Sequence, residues 1–444
     1  GTHKGCPYDY HLYTVKEIML NEASIKAVDD ARWNEHFIRP LYDSYCFSQI
    51  PRLLHSLFTG EDGDIQRMLL GPLAGRYDKV VLFFIDAFGW RFFERYADGY
   101  PLLRRILDEG YATKLTSQFP STTAAHVTAI HTGLPVDQSG VFEWFYYEPN
   151  IDAMIAPLLF SFAGDQQLGT LSQAGVKPAD IFPYPIETLY SRLAEAGVRS
   201  TVYQDAAFTP SPHGAIAFRG AEVMPFPKLD VGLNMLADRV RTERGPRYYF
   251  LYFDGIDMVG HKSGPNSREF EAAVDHTLNL IERFLADALR NSGGRTLFLM
   301  TADHGQTETN PNTTFYVNRK LPGFERFIKT TRKGQLLVPG GSCRDLFLYI
   351  KDEHEDEAYS ILRARLAGRA EVYRVRDLIA DHFFGTGEPS TRLLDRLSNL
   401  VVLPYEGEGV YWYEQGRFEQ SYWGHHGGLT RPEMETILLA QALG

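Results

Sequence analysis

Three segments of this 444-residue chain are apolar runs of strand length that each end at an acid. They are DKVVLFFID (78–86), YYFLYFDGID (248–257) and RTLFLMTADHG (295–305). Apolar on both faces, such runs suit central strands of a sheet covered on both sides. VRSTVYQD (198–205) and RDLFLYIKD (344–352) read as further strands. Between them the period becomes helical. ETLYSRLAEAG (187–197) closes on Gly197, and SREFEAAVDHTLNLIERFLADALR (267–290) is a long amphipathic helix with Ser267 as its N-cap. Strands alternating with helices predict an α/β fold, a mostly parallel central sheet with helices on both faces. Residues 1–75 carry mixed helical patterns and no chemistry, and read as an N-terminal helical segment before a catalytic domain at 76–444. Within that domain about 306–410 is less regular, with TETNPNTTF, a PGGS turn and GTGEPSTRLL, and is expected to be an inserted cap region.

Composition narrows the partners. With 44% hydrophobic residues the chain can bury a large core. A net charge of −11 argues against a sequence-read nucleic acid, which needs a basic face, but leaves room for phosphate where a metal supplies the positive charge. Cys6, Cys46 and Cys343 are too few and too widely spaced for a disulfide framework or a CxxC zinc pattern. No run of about 18 apolar residues is present, so no membrane span is expected. GTHKGCPYDY lacks a basic-then-apolar leader, and with the low cysteine count this gives a cytoplasmic expectation. The sequence carries no sign of oligomeric state.

The strand ends carry the chemistry. In such sheets ligands gather outside the carboxyl ends of the strands, where Asp86, Asp257 and Asp303 fall. Asp257 and His261 are spaced D-x-x-x-H, one helical turn apart, so both can face one ion. Asp303 and His304 are adjacent and can share a metal if the chain turns, which Gly305 permits. His426 precedes Gly427 and Gly428 at another flexible corner. Asp and His without Cys suit Zn²⁺ in a catalytic site, with Mn²⁺ as the alternative, and two ions can stabilise both the attacking and the leaving oxygens of a displacement. FPSTTAAHVTAIHTG offers the hydroxyls of Ser121, Thr122 and Thr123 at a helix start, where free N–H groups and the dipole favour an anion. The aromatic cluster Phe142, Trp144, Phe145, Tyr146 and Tyr147 follows closely enough to wall a pocket.

Together these motifs resemble the alkaline phosphatase superfamily and, within it, the nucleotide pyrophosphatase/phosphodiesterase branch, over roughly 78–305 and 340–444. The resemblance implies a nucleophilic Thr ten residues before the Gly of a T-G pair. Thr132-Gly133 then points to Thr123, with Thr122 as fallback. It implies one ion on Asp257, His261 and His426, and a second on Asp86, Asp303, His304 and Thr123. The family's Asn eleven residues after that Gly is here Trp144, beside Glu143. Of its two base-stacking aromatics, Tyr252 matches one, and Ala124 stands at the other. Arg344 is a candidate phosphate partner through its planar fork, with Lys262 similarly placed beside His261.

The function expected is metal-dependent hydrolysis of a phosphodiester or nucleotide pyrophosphate bond through a phospho-threonine, on a small phosphate ester such as a nucleotide, for which Tyr252 is the one matching aromatic. A phosphomonoesterase or phosphonate hydrolase would use the same seven residues. A non-catalytic metal-bound binding protein is the reading from another class. FPSTTAA lacks the C/S-x-P-x-R context of the sulfatases.

Overall fold

A computed structural model describes residues 19–182 and 187–443; Cys6 lies outside them. Ten strands carry the architecture: β1 Lys79–Ile85, β2 Tyr111–Thr116, β3 Arg199–Asp205, β4 Ala221–Phe226, β5 Arg247–Phe253, β6 Thr296–Thr301, β7 Leu346–Leu348, β8 Ala370–Arg374, β9 Leu400–Pro404 and β10 Glu435–Leu443. Seven of them form the central sheet, in the order β2-β10-β6-β1-β5-β3-β4. The sheet is parallel except for β10, which runs antiparallel to both neighbours.

The apolar runs explain this arrangement. All seven residues of β1 are buried, and alternate side chains enter different cores. Val81, Phe83 and Ile85 pack with helices α2 (Leu229–Thr242) and α4 (Arg268–Arg290), through Leu233, Leu236, Phe270 and Leu278. Val80, Leu82 and Phe84 pack on the other face against Leu53, Leu54, Leu57, Leu69 and Leu193. Residues 47–70 therefore share a core with the sheet. Each such side chain adds about 1.5–3 kcal/mol by its burial, and Phe83→Ala would cost about 3–5 kcal/mol.

The helix predicted over 267–290 is present, with the Ser267 side chain accepting from Phe270 N at 3.1 Å. The strand predicted over 344–352 is short, residues 346–348, and lies outside the central sheet. It joins an antiparallel sheet β7-β9-β8 within the region predicted as an insertion. Residues 146–162 form a further small antiparallel meander. Among the described residues no helix is long and apolar enough to cross a membrane.

Neighbouring positions on the sheet set the site. β6, β1 and β5 are adjacent, with Phe84 opposite both Tyr252 and Thr301. The acids that follow these three strands therefore emerge along one edge. The chain reaches that edge again just before it enters β10, and this brings His426 to it.

Candidate metal centre and nucleophile

Asp86 follows β1 directly, and Asp303 lies two residues beyond β6. Ala87 takes a left-handed φ of 62°, unusual for a residue with a Cβ, and its N–H donates to Asp303 Oδ1 at 3.1 Å. His304 N donates to the same oxygen at 3.0 Å. Gly305 is required by close approach, since a Cβ there would strike the Pro432 carbonyl; its φ is not in the left-handed region. Asp257 and His261 share one face of helix α3 (Gly255–Ser263), with His261 Nε2 at 3.2 Å from Asp257 Oδ2.

The six predicted ligands converge on one cluster. His304 Nε2 lies 3.1 Å from Asp303 Oδ2 and 3.6 Å from Asp86 Oδ1. His426 Nε2 lies 3.6 Å from Asp257 Oδ1 and 3.2 Å from His261 Nε2. The His304 and His426 rings stack at 3.6 Å, so His304 stands between Asp86 and Asp303 on one side and Asp257 and His426 on the other. The triads implied by resemblance put His261, not His304, with Asp257 and His426. All four side chains are gathered here, and the hydrogen bonds behind the rings favour including His261.

Those hydrogen bonds fix the chemistry of the rings. Nδ1 of His261 faces the Gly424 carbonyl at 2.8 Å, that of His426 the Ser121 carbonyl at 2.8 Å, and that of His304 the Gly305 carbonyl at 3.0 Å. A carbonyl only accepts, so each neutral ring carries its proton on Nδ1 and turns the Nε2 lone pair inward. His261 and His426 thus aim two lone pairs at each other across 3.2 Å. Asp86 Oδ1 and Asp303 Oδ2 are buried with no hydrogen-bond partner. Acceptors crowded together without a donor are costly unless a cation sits among them, so these residues fit two divalent ions.

Without an ion these groups pair with one another: burial opposes a charged His304, but Asp303 raises its value, so an ion must displace the proton this ring can share with Asp303. Burial, then Asp303 and Asp257, push Asp86 well above the carboxylate range. Burial opposes ionisation of Asp257 and Asp303 too, but His261 and His304 respectively draw them below their ordinary value. Burial and the neighbouring His304 and His261 rings hold His426 well down, neutral as a ligand must be.

Thr123 is the first residue of helix α1 (Thr123–Thr132) and is half-buried. Its Oγ1 lies 3.4 Å from both Asp86 Oδ2 and His304 Nε2. Thr122 Oγ1 instead donates to the Phe142 carbonyl at 2.9 Å, and Ser121 Oγ to that of Gly428 at 2.8 Å. Thr122 also gives the helix no side-chain cap, which leaves its first N–H groups open to an anion beside Thr123.

Thr123 opens onto a cavity of about 320 Å³, walled by Val127, Trp144, Leu158, Leu168, Phe208 and Tyr252 among others. Trp144 is 38% exposed there. Glu143 beside it turns inward against Asp345 and is pushed up to about 7 by burial. The Tyr252 hydroxyl donates to Asp86 Oδ2, so this residue braces a ligand as well as lining the cavity.

Two sequence expectations are corrected. Ala124 is fully buried in the core behind the helix start and presents no surface to the cavity; Val127, one turn on, does. Arg344 is also fully buried, and its guanidinium bonds both carboxylate oxygens of Glu433 at 2.9 Å and the carbonyls of Pro404, Tyr405 and Glu408. With its donors filled it is a structural ion pair and cannot meet a phosphate. Lys262 is exposed and does not line the cavity. Sequence reasoning missed Gln306, whose Nε2 donates to Asp257 Oδ1 at 2.6 Å and to the Asp257 carbonyl at 3.0 Å. Its place three residues after Asp303 was the only available signal.

Residues 80–428 match the family model described as type I phosphodiesterase / nucleotide pyrophosphatase. Among solved structures, murine ectonucleotide pyrophosphatase / phosphodiesterase 5 aligns with a TM-score of 0.61 at 17% identity, over 82% of this chain and 88% of that one. An inactive variant of the murine protein in complex with AMP aligns equally well, with a TM-score of 0.61, 17% identity and the same 82% and 88% coverage. Phosphonoacetate hydrolase from Sinorhizobium meliloti 1021, in complex with phosphonoformate, aligns with a TM-score of 0.57 at 17% identity, over 83% and 92%. At these identities the structural likeness shows a shared fold.

Proposed function

The chain belongs to the type I phosphodiesterase / nucleotide pyrophosphatase family, and from that premise we propose that it is a two-metal hydrolase of small phosphodiesters with Thr123 as nucleophile. The observation that carries the reading is the convergence of Asp257, His261, His304 and His426 with the partnerless carboxylate oxygens of Asp86 and Asp303 beside the Thr123 hydroxyl. The first ion would be held by Asp257, His261 and His426, and the second by Asp86, Asp303 and His304 with Thr123. Zn²⁺ is the first choice for these ligands and Mn²⁺ the second. When bound, such ions neutralise phosphoryl oxygens and make the hydroxyl and water easier to ionise near neutral pH.

The chain's own groups then have defined tasks. Asp86 Oδ2 and His304 Nε2, each 3.4 Å from Thr123 Oγ1, orient the hydroxyl. The open N–H groups at the start of α1 receive a non-bridging oxygen, a role for which Trp144 offers no side-chain amide. Thr123 Oγ attacks phosphorus as the bond to the leaving oxygen breaks, giving phospho-threonine and an alcohol. Water then cleaves that bond, restoring the hydroxyl and releasing a monoester. The cavity beside Thr123 has room for an organic group that stays on phosphorus while a second one leaves, as a diester requires. The AMP held by the murine relative makes a nucleotide one substrate of suitable size.

Metal content measured with turnover of bis-p-nitrophenyl phosphate and p-nitrophenyl phosphate tests this. Two ions and a higher rate on the diester are expected. Two bound ions with no turnover of either compound would overturn the enzymatic reading. In the same proposal, residues 76–444 are the catalytic domain, with a cap inserted at about 306–410. The free buried thiols of Cys46 and Cys343 fit a cytoplasmic setting.

A further inference from the structure

The cavity beside Thr123 has a charge character that phosphoryl transfer does not require. Its walls are mainly apolar and aromatic, and among the described residues that line it there is no Lys or Arg. Its one imidazole, His213, is pushed down to about 4 by burial and so is neutral at pH 7. Among the described lining residues the one carboxylate is Asp254. Asp254 occupies the N-cap position of α3, yet its side chain makes no capping hydrogen bond to the helix. A half-buried carboxylate at a helix start that leaves the helix uncapped is free to serve the cavity. Burial, then Asp257 and, more weakly, Asp205 at the end of β3, push the Asp254 carboxyl up to about 6, so it is ionised above that pH. The cavity thus carries a negative field in a partly desolvated place, where charge acts more strongly than in water.

We infer that Asp254 makes this cavity charge-selective: it takes the organic group of the substrate when that group is cationic, accepts a neutral one less well, and rejects an anionic one. The inference rests on the diesterase reading above and names its substrate class. An anionic end on the organic group, away from the ions that would sit at Thr123, would meet Asp254 with no Lys or Arg among the described residues of the cavity wall to receive it.

The test uses three p-nitrophenyl phosphodiesters that differ only in the second alkyl group. One is the choline ester, one its neutral 3,3-dimethylbutyl isostere, and one a carboxylate-ended alkyl of similar length. The kcat/KM values are expected to fall in that order by about tenfold per step, about 100-fold from cation to anion. Asp254→Asn should reduce the cation-to-anion ratio by about tenfold, and Gln204→Lys, which puts a positive charge on another wall residue, should lower it further or invert it. Metal content is measured on every variant. If Asp254→Asn does not fold, the order of the three substrates on the unaltered enzyme, measured above and below pH 6, decides the matter, since protonation of Asp254 should flatten it. Turnover that ignores charge, or ratios unchanged in the variants with metal retained, would overturn this inference alone. Failure to turn over all three with both ions bound would overturn the diesterase reading and this inference with it.

Discussion

Gln306 gives the sharpest test of how the metal centre is held. Its Nε2 donates to Asp257 twice, at 2.6 Å to Oδ1 and 3.0 Å to the backbone carbonyl, and its side chain is buried. Gly260 leaves room for it, because a Cβ there would strike the Gln306 side-chain oxygen Oε1. Gln306→Leu keeps approximate size and removes both donors. Asp257 then loses the group that fixes its carboxylate plane toward His261 and His426. Partners of this kind are worth 10–100-fold in metal affinity, about 1.4–2.7 kcal/mol. Competition with a zinc chelator should show one of two ions weakened by that factor. At low free zinc kcat/KM should fall in proportion, and it should recover once free zinc exceeds the new dissociation constant. Unchanged affinity for both ions would refute the reasoning, and so would an activity loss that saturating zinc fails to restore.

Other predictions follow the same geometry. Thr123→Ala should lower turnover at least about 10³-fold while both ions stay bound. Thr122→Ala should keep most activity and lose about 1 kcal/mol with its bond to the Phe142 carbonyl; the reverse outcome, by steady-state kinetics and metal analysis, would move the nucleophile by one position. Arg344→Met, which strands Glu433 in the core, should cost about 3–5 kcal/mol in chemical denaturation, and a loss of activity without loss of stability would restore Arg344 to the substrate site. The folded-state value of Asp86 is raised, so its contribution to the stability of the metal-free protein is present at low pH and lost as pH rises through that value. Metal relieves this by occupying the ionised form, so the rise in melting temperature on adding zinc should be larger at pH 8 than at pH 5.5. An equal or smaller rise at pH 8, by differential scanning fluorimetry against a chelated control, would show that Asp86 does not face the ion.

How much was legible in the sequence depended on whether local pattern alone could carry it. β1, β5 and β6 are buried on both faces and so read as continuous apolar runs, and the acids at their ends could be placed from strand length. That these strands are neighbours, and that their acids therefore meet, is a tertiary fact for which the runs gave only a motive. β10 was missed although ETILLAQAL is apolar, because nothing local says that the chain's last strand enters antiparallel between β2 and β6. Arg344 was misjudged for a related reason. Its partner Glu433 lies far along the chain, and no spacing rule links them. Ala124 was misjudged because one residue along a helix turns the side chain about 100°, from the cavity at Thr123 to the core. Trp144 and the meander at 146–162 belong to irregular chain, where pattern gives little, and that is the part that shapes what the cavity accepts.

The late strand also determines when the centre can exist. His426 reaches the active edge only because the chain turns back there before β10, and its ring is held from the far side by the Ser121 carbonyl. Asp257 and His261 arrive from α3, Asp303 from β6, which flanks β10, and Asp86 from β1, one strand further in. The half of the cluster that needs His426 is therefore incomplete until the last strand has docked, whereas Asp86, Asp303 and His304 meet at the ends of β1 and β6. Before docking, Asp257 and His261 can contact each other but lack His426, and a lone carboxylate–imidazole pair is a weak site for a divalent ion. Binding energy for the first ion is thus available mainly to the completed fold. It acts as a clamp joining α3 to the loop before β10 across the long stretch of sequence between His261 and His426.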